Sequence, residues 1–169
     1  VHLNFIWKNN LIRKRNYAIC TVLLSEGLRK GELLSLKMYD VDMRRKLLYI
    51  NGETSKSKVS RTIPLHSKAI QALEDYLDER KKHGCKTEYL WVSTKKDDAL
   101  TADGLKHLVE EIVRFTGIKF HLHRFRHTFA VNVLNGGSDI SRVKQLMGHK
   151  DIRMTAVYLR QITKKMLRA

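Results

Sequence analysis

Apolar positions along the chain recur mostly in a helical rhythm. From Asn16, "NYAICTVLLSEGL" puts apolar side chains on most faces of a helix, as in a well-buried one, and Gly27 stands where such a helix stops. "RKGELLSL" reads as a short second helix entered directly from that turn, which leaves Arg29 at the junction. Ser67 can cap a helix carrying Ile70, Leu73, Tyr76 and Leu77 on one side, with acidic residues ahead of "RKKHG" in the order that the helix dipole favours. A fourth stripe, Leu105, Leu108, Ile112 and Phe115, predicts a helix over 101–115 with Gly117 as its stop. The last third predicts more helices joined by short turns. After "FHLHRFRHTFAVNVL" come a loop at Gly136–Gly137, a cap at Ser138 or Asp139, a break at Gly148 and a further cap at Asp151.

Two short segments break this rhythm. "LLYIN" at 47–51 and "SRTIPL" at 60–65 flank the polar span "GETSKSKV", which lacks any helical stripe, and so predict a β-hairpin with a basic tip. Pro64 then belongs near a strand end or edge. "EYLWVS" at 88–93 is the candidate third strand. The expectation is one compact α+β domain, mainly α, with a small antiparallel three-stranded sheet. No internal repeat, low-complexity tract or Pro/Ser-rich linker interrupts it.

Composition agrees with a folded domain: 169 residues, 43% hydrophobic, with one proline and nine glycines. Charge changes the picture, since 33 Lys+Arg against 17 Asp+Glu give a formal +16. That is far beyond what solubility requires and points to an anionic partner, nucleic acid first, although an inert basic surface fits charge alone. Cys20 and Cys85 show neither C-x-x-C spacing nor disulfide-scaffold density, so a reducing cytosol is expected. No run approaches the roughly eighteen apolar residues of a membrane span. The N-terminus carries its charges behind a short apolar patch, the reverse of a secretory signal. A soluble cytoplasmic protein without a membrane partner is the expectation. Val1 in place of a methionine suggests a piece of something longer.

"HLHRFRH" concentrates candidate chemistry. His123 and His127 stand four apart, as two zinc ligands on a helix face do, and His121 is close. Carboxylate and thiolate ligands are missing nearby, and Arg124 and Arg126 would repel a dication, so no metal is expected. The arginines offer planar donor forks matched to phosphate oxygens, and histidine can donate to phosphate or move a proton. Together they suit phosphoryl transfer.

Four segments, "GLRKGELLSL", "SKSKVSRTIPL", "HRFRHTFA" and "LMGHKDIRMTAVYLR", resemble in order the signature segments of the tyrosine recombinase (phage integrase) family, over roughly residues 15–160. The resemblance implies that Arg29 is the first catalytic arginine and Glu32 its supporting acid. His123 and Arg126 fill the family's H-x-x-R, His149 fills the second histidine position and Tyr158 the nucleophile position. Lys56 falls where the family's hairpin lysine sits, with Lys58 as the competing choice. His121, Arg124 and His127 fall outside that set.

The implied reaction cuts and rejoins DNA through a 3′-phosphotyrosyl intermediate, with no metal and no cofactor. Tyr158 would attack, Arg29 and Arg126 would clamp the nonbridging oxygens, and His149 would add a donor. Lys56 would protonate the leaving 5′-oxygen and His123 would take the phenol proton. Singly, each residue has a plainer reading as a turn cap, a surface charge or a packed aromatic; their joint placement favours the site. The resemblance implies a domain from about residue 15 to 169, with 1–14 as linker or first-helix start and no N-terminal core-binding domain. It also implies double-stranded DNA as partner, a monomer in isolation and a tetrameric synapse on DNA. Topoisomerase IB-like relaxation and a non-catalytic DNA-binding module are the alternatives.

Overall fold

The structure, a computed structural model, describes residues 7–53, 58–93 and 95–166, with 160–166 described by backbone alone. Its helices are α1 (Asn10–Glu26), α2 (Lys30–Ser35), α3 (Ser67–Lys82), α4 (Ala102–Thr116), α5 (Leu122–Asn135), α6 (Ile140–Met147) and α7 (Arg153–Met166). Between α2 and α3 run a short 3₁₀ turn and three strands, β1 (Val41–Asp42), β2 (Leu47–Ile50) and β3 (Arg61–Pro64). They form an antiparallel sheet in the order β1-β2-β3, pairing Val41 with Leu48 and Leu48 with Ile63. The mainly helical α+β fold with a small three-stranded sheet is therefore as the sequence predicts.

Burial explains the arrangement. Ala18, Ile19, Val22 and Leu23 of α1 are buried, and α1 packs on α3 and α5. Leu48 and Ile63, paired across β2 and β3, join the same core. A second cluster holds α5, α6 and α7 together through Phe129, Ala130, Val143, Met147 and Tyr158. It brings the last three helices to the mouth of α2. Among the described residues no helix is long and apolar enough to cross a membrane.

α1 begins at Asn10, capped by the Asn9 side chain, and its exposed and half-buried first turns precede the all-round apolar run that marks it in the sequence. Two expectations need correction. α3 is capped by the ring of His66, which accepts from the Lys68 amide, and Ser67 is its first residue. The third strand is Val41–Asp42 and not 88–93. Leu90, Trp91 and Val92 are buried in succession, without the alternation of a strand face, and the Tyr76 hydroxyl bridges Leu90 O and Val92 N. The remaining backbone bonds of this segment go to Leu36, Met38 and the 98–100 turn.

Candidate active site

The site is built on the C-terminal end of α6. Asp139 caps its start, accepting from the Ser141 and Arg142 amides, and Gly148 ends it in the left-handed conformation at φ 60°. The last carbonyls of a helix lack helical partners and carry the negative end of its dipole. Here three guanidiniums take three consecutive ones. Arg61 Nε donates to Leu146 O at 2.7 Å, Arg126 Nη2 donates to Met147 O, and Arg29 Nη2 donates to Gly148 O at 3.2 Å.

Each arginine arrives from a different element. Arg29 is the N-cap of α2, and Glu32 accepts from its backbone N–H and from Nη1, both at 2.9 Å. Arg126 lies on α5, buried, and its Nη1 donates to Gly27 O at 2.5 Å. Gly27 has to be glycine. Its φ is 62°, and a Cβ there would lie 2.2 Å from the Phe129 ring, one turn beyond Arg126 on α5. Arg61, on β3, grips the fully buried Glu32 carboxylate at two points, Nη1 to Oε1 at 3.0 Å and Nη2 to Oε2 at 2.8 Å.

Gathering three like charges around one buried carboxylate has a consequence for the titratable groups beside them. Burial, then the charges of Arg29 and Arg61, push Arg126 down to about 10 against the pull of Glu32, so it stays cationic at neutral pH. His149 follows Gly148, is buried, and pairs through Nδ1 with the Thr155 hydroxyl at 2.8 Å. Burial first, then Arg126, Arg29 and Arg61, bring it down to about 4, leaving a neutral imidazole at pH 7. The Tyr158 phenol is raised by burial, while the charges of Arg126 and Arg29 act against that rise. Its ring meets the His127 ring edge-on, with centroids 5.3 Å apart.

Arg29, Glu32, Arg126, His149 and Tyr158, scattered through the sequence, thus share one electrostatic environment. His123 stands exposed in the first turn of α5, one turn before Arg126. Lys56 lies outside the described residues. Lys58 is exposed near the hairpin tip at φ 53°, its Nζ donating to Glu53 O at 3.1 Å. Sequence reasoning missed Arg61 and Thr155. Arg61 stands inside the quoted "SKSKVSRTIPL", and a basic residue in a four-residue strand opposite Ile50 was the available signal. No three His, Cys, Asp or Glu residues gather as a metal-binding cluster among the described residues. An apolar recess of about 810 Å³, lined by Tyr17, Leu24, Ile118, Phe120 and Phe125, contains none of these groups, so apolar concavity does not mark the site.

The family model described as "Phage integrase family" matches residues 2–165. Tyrosine recombinase XerC of Staphylococcus aureus (strain USA300 / TCH1516) is 34% identical over 149 residues, which cover 85% of this chain and 48% of that protein. The chain thus spans about half the length of the curated relatives it matches. The crystal structure of XerA recombinase superposes with a TM-score of 0.76 at 29% identity, over 92% of this chain and 59% of that one. XerH site-specific recombinase, bound to its difH substrate in a pre-cleavage complex, gives 0.75 at 26% identity, over 93% of this chain and 46% of that one. The Tn1549 transposon integrase in complex with a circular intermediate DNA shares the fold, with a TM-score of 0.73 at 23% identity, over 99% of this chain and 62% of that one.

Proposed function

The chain belongs to the phage integrase family, and from that membership we propose that it is the catalytic domain of a site-specific recombinase that cuts and rejoins double-stranded DNA. The observation that carries this reading is the convergence of Arg29, Arg61 and Arg126 on one helix end, with His149 next in the chain and the Tyr158 phenol under the same charges. Three guanidiniums and one carboxylate leave two positive charges, the complement of the dianionic pentacoordinate phosphorus formed when a phenolate adds to a phosphodiester.

Tyr158 Oη forms the bond to phosphorus, and the bond from phosphorus to the 5′-oxygen breaks. His123, exposed at the mouth of α5, takes the phenol proton. Lys56, on the β2–β3 hairpin, gives a proton to the leaving 5′-oxygen. Arg29 and Arg126 hold the nonbridging oxygens, and neutral His149, its Nδ1 engaged by the Thr155 hydroxyl, adds a donor. Attack by another strand's 5′-hydroxyl reverses the step, so the phosphodiester energy is conserved and no cofactor takes part.

The DNA-bound state of XerH supports double-stranded DNA as the partner, and the formal charge of +16 supports salt-sensitive phosphate contact along it. Assembly from monomers into a tetramer on DNA and a DNA-associated cytoplasmic location belong to the same proposal. The catalytic domain takes in residues 15–169, and its first helix reaches back to Asn10.

A pool of nicked duplexes of randomised sequence, incubated with the chain in EDTA, tests the proposal. Covalent protein–DNA adducts that Tyr158→Phe abolishes, and whose sequencing yields a shared site, are the expected result. Adducts that persist in Tyr158→Phe, or that form only with magnesium, overturn it.

A further inference from the structure

We propose that Arg61 is a positioning residue of this site, acting through Glu32 on the phosphate-facing Arg29; the inference rests on the recombinase reading above. The Glu32 carboxylate is fully buried and sits between two guanidiniums. Arg61 occupies both of its oxygens in fork geometry, which fixes the plane of the carboxylate. Through that carboxylate Arg29 is held at Nη1 and at its own backbone N–H.

The two arginines also share a second anchor. Arg61 Nε binds Leu146 O, Arg29 Nη2 binds Gly148 O two residues on, and a Cβ on Gly148 would lie 2.9 Å from Arg61 Nη1. The glycine turn before His149 is therefore shaped around Arg61. Without the fork, the Glu32 carboxylate loses the partner that sets its plane, and its charge bears more heavily on Arg29, in competition with the phosphate. A lysine at 61 keeps the charge and cannot supply the fork, and this separates positioning from mere charge.

Arg61→Lys is compared with the parent chain on a nicked duplex recovered from the randomised pool, with Arg61→Gln as a second variant and circular dichroism confirming the fold. Expected is a loss of adduct-forming rate on the order of 30-fold with duplex affinity within about threefold, a split that general loosening of the domain does not produce. The same duplex with a 5′-bridging sulfur is expected to leave the loss in place, since the fault lies in the clamp and not in leaving-group protonation. In a Glu32→Gln background the additional loss should shrink to about twofold.

Full activity of Arg61→Lys overturns the proposal, and so does restoration by the bridging sulfur, which would instead make Arg61 an anchor for the hairpin lysine. An equal loss with and without Glu32 also overturns it. Should the parent chain form no adduct on any duplex, the recombinase reading fails by itself. Inorganic phosphate binding, followed by the NMR signal of His149, then decides the positioning claim: about fivefold weaker binding in Arg61→Lys supports it, and unchanged binding ends it.

Discussion

Arg61 and Glu32, 29 positions apart, form a two-point ion pair at 3.0 and 2.8 Å that joins β3 to α2 across the site. Because Glu32 is fully buried and serves Arg29 as well, it is the counter-charge for a cationic cluster that would otherwise repel itself. Removing one member of a buried ionic set leaves the others uncompensated, at a cost of about 3–5 kcal/mol. Glu32→Gln, which keeps shape and some hydrogen bonding, should lower the unfolding free energy by about 3 kcal/mol. A urea titration read by tryptophan fluorescence measures it, and a loss below about 1 kcal/mol would mean the cluster does not depend on this carboxylate.

Gly27→Ala should harm stability and the site together. The residue ends α1 in the left-handed region, and the new methyl would overlap the Phe129 ring. Left-handed strain and overpacking together suggest a loss of about 2–4 kcal/mol. Since Arg126 donates to Gly27 O, the shift of this turn should also slow adduct formation at temperatures where the variant remains folded. Equal rates per folded molecule would show that Arg126 does not need that carbonyl.

Much of this was legible in the sequence because local chemistry and tertiary role coincide there. Asp139 and Gly148 mark α6, Thr101 and Gly117 mark α4, and two short Leu-, Ile-, Tyr- and Thr-containing runs, "LLYIN" and "SRTIPL", about a polar span mark the hairpin. The segment 88–93 misled because a β-like composition served burial: Trp91 stacks on Tyr76 and the backbone bonds to loops. The spacing of Arg29, Arg126, His149 and Tyr158 was readable as a pattern of residues. The anchor shared by Arg29, Arg126 and Arg61 was not, because it consists of backbone carbonyls at Leu146, Met147 and Gly148, which no side-chain pattern encodes. Arg61 escaped for the same reason.

His149 should make stability rise with pH over a defined window. Its folded-state pKa of about 4 lies below the ordinary value of 6.5, so between those values the unfolded chain binds the extra proton. The stability that neutral His149 contributes is complete above about pH 6.5 and is lost as pH falls toward 4. The loss is on the order of 2–3 kcal/mol between pH 7 and pH 4. His149→Gln should flatten this dependence. Subtracting its curve from the parent's cancels the opposite trend of Glu26, whose carboxyl is raised by burial. A difference curve without slope in that window would place a charged imidazole in the folded site.

The two cysteines should react very differently. Cys20 is buried in α1 and burial pushes its thiol up to about 12, whereas Cys85 is half-buried in the turn after α3. Titration with a disulfide-exchange reagent at pH 8 should count one fast thiol in the native chain and a second only in urea. Fast reaction of both in the native chain would contradict the packing of α1.

Two lysines in the segment between β2 and β3, Lys56 and Lys58, are the candidates for one proton. Lys58 sits at φ 53° and gives its ammonium to the Glu53 carbonyl, a contact that closes the turn on itself. A lysine so engaged stabilises the loop, and the proposed acid is Lys56. Lys56→Ala should slow cleavage of an ordinary phosphodiester by on the order of a hundredfold and recover on a 5′-bridging sulfur, a better leaving group that needs no acid. Lys58→Ala should slow both substrates by a similar, smaller factor, because loss of a cation near the hairpin tip weakens contact with the duplex but removes no acid. Sulfur rescue of Lys58→Ala without rescue of Lys56→Ala would transfer the role to Lys58 and make the Glu53 contact a resting position that DNA displaces.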